Sequence, residues 1–228
     1  MAIRLTNTRD AAQVNGVKIL VYSKAGYGKT VLCSTAPTPI IISAESGLLS
    51  LRGKDIPVIE INTIDQLTEA YDWANGSAEA KHFQTICIDS ISEIGEVVLA
   101  NSKKTNKDPR ASYGELIEIM GEQIRKFRDL PGKHVYMSAK QQLTKDDKTG
   151  LTTYGPAMPG SKVGQAMPYF YDEVFRMGIG ALEDGKTYRF LQTRPDFQYE
   201  AKDRSGALDE MEPPDLTRII NKILAPLA

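Results

Sequence analysis

The sequence predicts an α/β domain, a mostly parallel central sheet with helices on both faces. Three observations predict it. Short apolar runs at 17–22, 40–44, 57–61, 83–89 and 134–139 recur along the chain, with helix-period stretches between several of them. The runs are continuous rather than alternating, as in strands buried on both faces. The connections are short, which favours strands joined by helical crossovers in one sheet.

Each element has a local reason. Residues 1–16 are polar and mixed and read as an N-terminal arm, with the core domain taken as 17–228. Residues 17–22 form the first core strand. A helix is expected over 29–35, stopped by Ala36-Pro37-Thr38-Pro39, because proline lacks the N–H and restricts the residue before it. Strands follow at 40–44 and 57–61. Thr63 is the N-cap candidate of a helix carrying Leu67, Ala70, Tyr71 and Ala74 on one face. Residues 83–89 are a strand ending in an acid, Asp89. A long helix is expected over 113–127, with Leu116, Ile117, Met120, Ile124 and Phe127 at helical spacing. Residues 134–139 are a further strand, and 143–162, rich in Thr, Lys, Asp, Gly and Pro, read as a long loop. Segments 172–179 and 187–193 pair as strands around the turn signal Glu183-Asp184-Gly185. Residues 214–224 make a short amphipathic helix.

Bulk properties narrow the functional classes. At 228 residues the chain fits one large domain with a buried sheet. Its net charge of −1 carries no bulk signature of nucleic-acid binding, so any such contact must come from local patches. No apolar run approaches the roughly 18 residues that span a bilayer, and Met1-Ala2-Ile3-Arg4 opens no hydrophobic signal region, so a cytoplasmic protein is expected. Cys33, Cys87, His82 and His134 show no metal-ligand spacing, and both cysteines read as small buried hydrophobes.

The chemistry begins at Ser23-Lys24-Ala25-Gly26-Tyr27-Gly28-Lys29-Thr30, between a strand and a helix, with Val31 next in that helix. Successive backbone N–H groups of such a loop form an anion nest, and the helix beginning there adds its positive dipole end. Lys29 is placed to bridge the β- and γ-phosphates of a nucleotide, and the Thr30 hydroxyl to ligate Mg²⁺. Ser23 stands where the usual motif has its first glycine, and serine tolerates positive φ less well. Asp89, at the carboxyl end of its strand, is the acid that holds Mg²⁺. The next residue is Ser90 rather than Glu, so the water-activating carboxylate is sought elsewhere. Glu45, just beyond the strand 40–44, is the candidate. Glu93 and Glu96 read as surface charges.

Ser43-Ala44-Glu45-Ser46-Gly47 and Ile88-Asp89-Ser90 resemble the core of the RecA recombinase family. With Pro159-Gly160-Ser161-Lys162 and Asp172-Glu173-Val174-Phe175-Arg176-Met177, residues 15–225 look more narrowly like bacteriophage RecA-like P-loop ATPases, AAA-type nucleotide-binding proteins of the single-strand annealing and recombination kind. The resemblance implies a RecA-like P-loop core that uses ATP and Mg²⁺, hydrolyses ATP slowly or under DNA stimulation, and works as a homo-oligomer, ring or filament. It further implies single-stranded DNA and a phage single-strand-binding protein as partners, in the host cytoplasm.

It also implies two mobile DNA-facing loops. The first matches 101–112, with Lys103, Lys104, Lys107 and Arg110. The second matches 143–162, with Lys145, Lys148, Tyr154 and Lys162. Cations there can meet phosphates and an aromatic face can stack a base. Such ATPases complete their site with basic residues from a neighbouring subunit. Among Arg189, Arg194, Lys202 and Arg204, Arg194 and Arg204 rank first. The family's γ-phosphate-sensing glutamine is replaced by Ser138-Ala139-Lys140, leaving Gln141, Gln142 or Lys140 for that role.

Lys24 also resembles the extra lysine of partition-type ATPases, although Ala25 departs from their double glycine. Two further functional classes stay open, a small-molecule P-loop kinase and a nucleotide-switched assembly module without efficient hydrolysis. The absence of arginine from 143–162 counts against a kinase lid.

Overall fold

The computed structural model describes residues 16–45, 47–145 and 150–225, except for the side chains of Thr105, Ser161 and Lys162. The expected arm at 1–16 therefore lies outside the described residues apart from Gly16, as do Lys148 and the Lys162 side chain.

Eight strands run across the sheet in the order β10-β8-β7-β1-β5-β4-β2-β3. They are β1 (Lys18–Ser23), β2 (Pro39–Ser43), β3 (Val58–Glu60), β4 (Thr85–Asp89), β5 (His134–Lys145), β7 (Glu173–Ala181), β8 (Thr187–Gln192) and β10 (Met211–Glu212). The run from β3 to β7 is parallel throughout. β8 and β10 continue it antiparallel, while β6 (Thr152–Ala157) and β9 (Lys202–Asp203) pair antiparallel with β5 and β7. The α/β class with a mostly parallel sheet holds.

Alternation along β1 shows why both faces are covered. Leu20 and Tyr22 face one side, where they join Leu67 of α2 (Ile64–Gly76), Ile94 of α3 (Ile91–Thr105) and Met120 and Phe127 of α4 (Pro109–Arg128). Ile19 and Val21 face the other side and meet Leu32 of the short helix α1 (Lys29–Cys33). Ile219 and Ile220 of the C-terminal helix complete that layer. Cys33 and Cys87 are free and buried there, as expected. No helix among the described residues is long and apolar enough to cross a membrane.

In two expected loops, most of the described residues lie in helices or strands. Over 101–112, α3 continues to Thr105 and α4 begins at Pro109, leaving only 106–108 as a link. Asp108 caps α4 by accepting from the Arg110 N–H at 2.9 Å, with proline at the first helical position, where its missing N–H costs nothing. Over 143–162, β5 runs on to Lys145 and folds back as β6, and α5 (Ser161–Ala166) follows. The cross-strand ladder supplies the hydrogen bonds that a loop would have sought from water. The helix after the glycine loop is shorter than expected and ends at Cys33.

Thr63 caps α2 as expected, accepting from the Gln66 N–H at 3.2 Å. The β7–β8 hairpin turns at the expected place. The C-terminal helix α6 (Leu216–Leu224) is capped by Asp215.

Candidate nucleotide site

Sheet register brings the site together. Ser23 lies opposite Lys140 on β5, and Ser43 opposite Asp89 on β4. The carboxyl ends of β1, β5, β4 and β2 therefore open on one edge, where parallel α/β sheets bind ligands. A cavity of about 850 Å³ lies there, lined by Ser23–Gly26, Gly28, Lys29, Thr30, Glu45, Asp89, Lys140 and Arg189 among others.

The loop has the backbone such a cradle needs. Gly26 and Gly28 take φ of 79° and 109°, a region in which a side chain is strained. Ser23 needs no such freedom, since it closes β1 as a buried strand residue. The missing first glycine therefore leaves the turn intact. Lys29 Nζ folds over the loop and donates to the Ser23 and Lys24 carbonyls and to Ser23 Oγ, each at 3.2 Å. Burial lowers its pKa, while Asp89 and Glu45 oppose that shift and favour the cation.

Thr30 Oγ1 donates to Asp89 Oδ2 at 2.6 Å, and the Ser138 hydroxyl donates to the other carboxylate oxygen. Asp89 is 3% exposed, so these bonds replace water around a buried charge. The Thr30 hydroxyl and Asp89 carboxylate are hard oxygen donors, the kind Mg²⁺ prefers. Among the described residues no cluster of three or more His, Cys, Asp or Glu could hold a metal. A cation here thus fits as one completed by phosphate oxygens and water.

Glu45 lines the same cavity and accepts from the Ser90 hydroxyl at 2.6 Å. Ser43 Oγ donates to the Glu45 carbonyl at 2.6 Å and fixes the turn after β2. Lys24, Ala25, Gly26, Tyr27, Gly28 and Val31 form the rest of the loop and the first turn of α1.

A family model described as an AAA domain matches residues 15–205. The chain belongs to that family. Among solved structures, this AAA domain is similar to a KaiC-like protein from the hyperthermophilic archaeon Pyrococcus horikoshii OT3. The two are 14% identical over 80% of this chain and 82% of that one, with a TM-score of 0.43. No curated protein matches it. The chain is thus a P-loop ATPase domain of the AAA kind, built on an α/β core with a mostly parallel sheet.

Other expected site residues fall in several places. Gln141 lines the cavity, whereas Gln142 packs its amide against Gly164. Lys140 also lines it and pairs with Glu93 at 2.6 Å, so Glu93 is not a free surface charge. Arg194 is exposed, and Arg204 is bound by Asp172 at 2.9 Å, beside the start of β7. Lys103 lies over the Tyr113 ring at 5.7 Å. Lys104, Lys107 and Arg110 are exposed around the α3–α4 junction. Lys145 is exposed at the end of β5, and Tyr154 on β6 stacks on Tyr199 at 5.2 Å.

Three contacts at the cavity were not expected from the sequence, although Arg189 is named there as a cation for a neighbouring subunit's site and Ser138 at the sensor position. Ser138 holds Asp89, Tyr136 donates to the Lys29 carbonyl at 2.9 Å, and Arg189 reaches the loop from β8. Tyr136 and Ser138 are two apart in a strand and so share a face. That signal was present, but its meaning depends on β5 lying between β1 and β4.

Proposed function

We propose that this ATPase binds single-stranded DNA as a homo-oligomer and promotes annealing or recombination of the phage kind, with Mg²⁺-ATP in the cleft. Lys29 and Asp89 serve the phosphate chain and its cation, and Glu45 orients the attacking water. Mg²⁺, when bound, supplies charge neutralisation at the phosphates. Thr30 and Asp89 are the residues that would hold it.

One observation carries the DNA part of this reading. β5 passes without a break from Lys140 in the nucleotide cavity into the β5–β6 hairpin, which carries Lys145 and Tyr154. Tyr22, one residue before the loop, donates to the Tyr154 carbonyl at 2.9 Å. A base stacked on the hairpin and a phosphate in the loop would thus act on shared elements. The cations Lys103, Lys104, Lys107 and Arg110 offer a second stretch for a phosphate backbone. Arg194 and Arg204 are the candidates for reaching a neighbouring subunit's nucleotide.

The test is steady-state ATP hydrolysis with Mg²⁺, with and without single-stranded DNA, at low and high salt. Stimulation by DNA that fades as salt rises is expected, because phosphate contacts release counterions. Turnover indifferent to DNA would overturn the DNA reading and leave the ATPase standing.

A further inference from the structure

Four cations line the nucleotide cavity: Lys24, Lys29, Lys140 and Arg189. Lys29 is engaged by the loop, and Lys140 is paired with Glu93. Arg189 differs. It stands on β8, opposite Ile179 of β7, and is exposed. Its Nε donates to the Tyr27 carbonyl at 2.7 Å. No carboxylate among the described residues pairs with it, although one does pair with the cavity-lining Lys140. A guanidinium carries five N–H donors and Nε accounts for one, so its Nη groups are free for an anion.

The approach to the loop is close. A Cβ built on Gly28 would lie 3.3 Å from Arg189 Nε and 3.6 Å from Met177 Cε. Gly28 immediately precedes Lys29, at the start of the N–H groups that cradle phosphate. A permanent cation that lines the cavity is thus held against the glycine loop by the same chain.

We propose that Arg189 is a nucleotide-binding residue acting in cis, its Nη groups donating to the phosphate chain while Nε holds the Tyr27 carbonyl. Phosphate occupancy is thereby tied to the β7–β8 hairpin as well as to α1. The proposal rests on the nucleotide-binding reading and is independent of the DNA reading.

The test measures Mg²⁺-ADP and Mg²⁺-ATP affinity calorimetrically on the full chain for the wild type, Arg189→Ala, Arg189→Gln and Arg189→Lys. Lys29→Ala is the control for the site. Arg189→Ala is expected to weaken both nucleotides by about 10- to 100-fold, the range for a charge-assisted hydrogen bond. Its melting temperature without nucleotide should match the wild type, because the side chain is exposed. Arg189→Lys keeps the charge and should recover part of the affinity. Arg189→Gln can still donate to the Tyr27 carbonyl but has no charge, and should behave like Arg189→Ala. Recovery by Arg189→Gln equal to that by Arg189→Lys would make Arg189 a mere prop of the loop and overturn the proposal. So would an Arg189→Ala affinity within about 2-fold of the wild type. Failure of the wild-type chain to bind either nucleotide would overturn the nucleotide assignment itself, and this one with it.

Discussion

Ser90 Oγ donates to Glu45 Oε1 at 2.6 Å, joining the end of β4 to the turn after β2. Ser90 also caps α3, receiving the Glu93 N–H at 3.3 Å. One hydroxyl therefore serves a helix terminus and a carboxylate in the nucleotide cleft. A short serine cannot follow Glu45 far, so this bond holds the carboxylate at the end of β4 rather than letting it swing into solvent. On the proposed roles, this gives physical content to the Asp-Ser pair: the residue after the acid proposed to bind the cation would position the proposed base, Glu45, instead of being the base.

Glu45→Gln should leave nucleotide binding within a few-fold of the wild type and lower kcat by about 100-fold or more, since an amide cannot take the proton of the attacking water. Ser90→Ala should lower kcat by a smaller factor, about 10-fold, because Glu45 stays but loses its tether. Single-turnover hydrolysis with a parallel binding titration checks both. Normal turnover by Glu45→Gln would remove Glu45 from the chemistry.

Lys29→Ala should abolish detectable nucleotide binding, since the loop loses the cation placed over its carbonyls. Asp89→Asn should act more selectively. The amide oxygen keeps an acceptor for one of the Thr30 and Ser138 hydroxyls and the other can rotate to accept from the amide N–H, so the fold survives, but the charge that favours Mg²⁺ is gone. The expected outcome is a raised Mg²⁺ requirement for turnover, read by titrating Mg²⁺ at fixed ATP.

What the sequence made legible follows from the range of the forces involved. That the glycine loop, the acid at the end of β4 and Glu45 lie at one sheet edge was readable because local strings carry them. The Thr63 cap and the hairpin turn were readable for the same reason. Segment 101–112 reads as a loop only by the family resemblance, whereas 143–162 reads as one because its polar composition resembles a loop. The Asp108-Pro109 pair is a local helix-start signal for α4. The β5–β6 hairpin is set by cross-strand pairing, Leu143 opposite Tyr154, which no single segment displays. Arg189, Ser138 and Tyr136 reach the site through strand order, and strand order is a property of the whole sheet.

Gly28→Ala should cost the site more than the fold. At φ of 109° an alanine is strained, and its Cβ would press on the Arg189 guanidinium at 3.3 Å. The loop would have to move away from the geometry that aims its N–H groups. Nucleotide affinity should fall by at least about 10-fold, with a loss of roughly 1–2 kcal/mol in unfolding free energy. Gly26→Ala is the matched comparison: it carries a similar φ of 79° but has open space around it, so it reports strain without the clash. Equal effects of the two substitutions would rule out Arg189 as the neighbour that matters.

Glu173 predicts a pH dependence of stability. It begins β7, is 1% exposed, and accepts from the Ser205 N–H at 3.3 Å through Oε1. Burial first, then the Asp203 carboxylate, push its pKa up from 4.5 to about 8. No donor among the described residues reaches Oε2, but Asp203 lies within hydrogen-bonding reach, so a proton on Glu173 satisfies both acids. The folded chain thus holds a proton that the unfolded chain releases above pH 4.5. Between pH 4.5 and about 8 the unfolded state binds fewer protons, and unfolding free energy falls as pH rises. The contribution is fully present below 4.5 and is lost as pH passes about 8. Glu173→Gln keeps a donor for Asp203 and carries no charge. It should flatten this slope and make the chain more stable than the wild type at pH 8.5, by more than about 1 kcal/mol. Urea unfolding at pH 5.5, 7 and 8.5 reads the difference. A wild-type slope unchanged by Glu173→Gln would mean that other groups carry the titration.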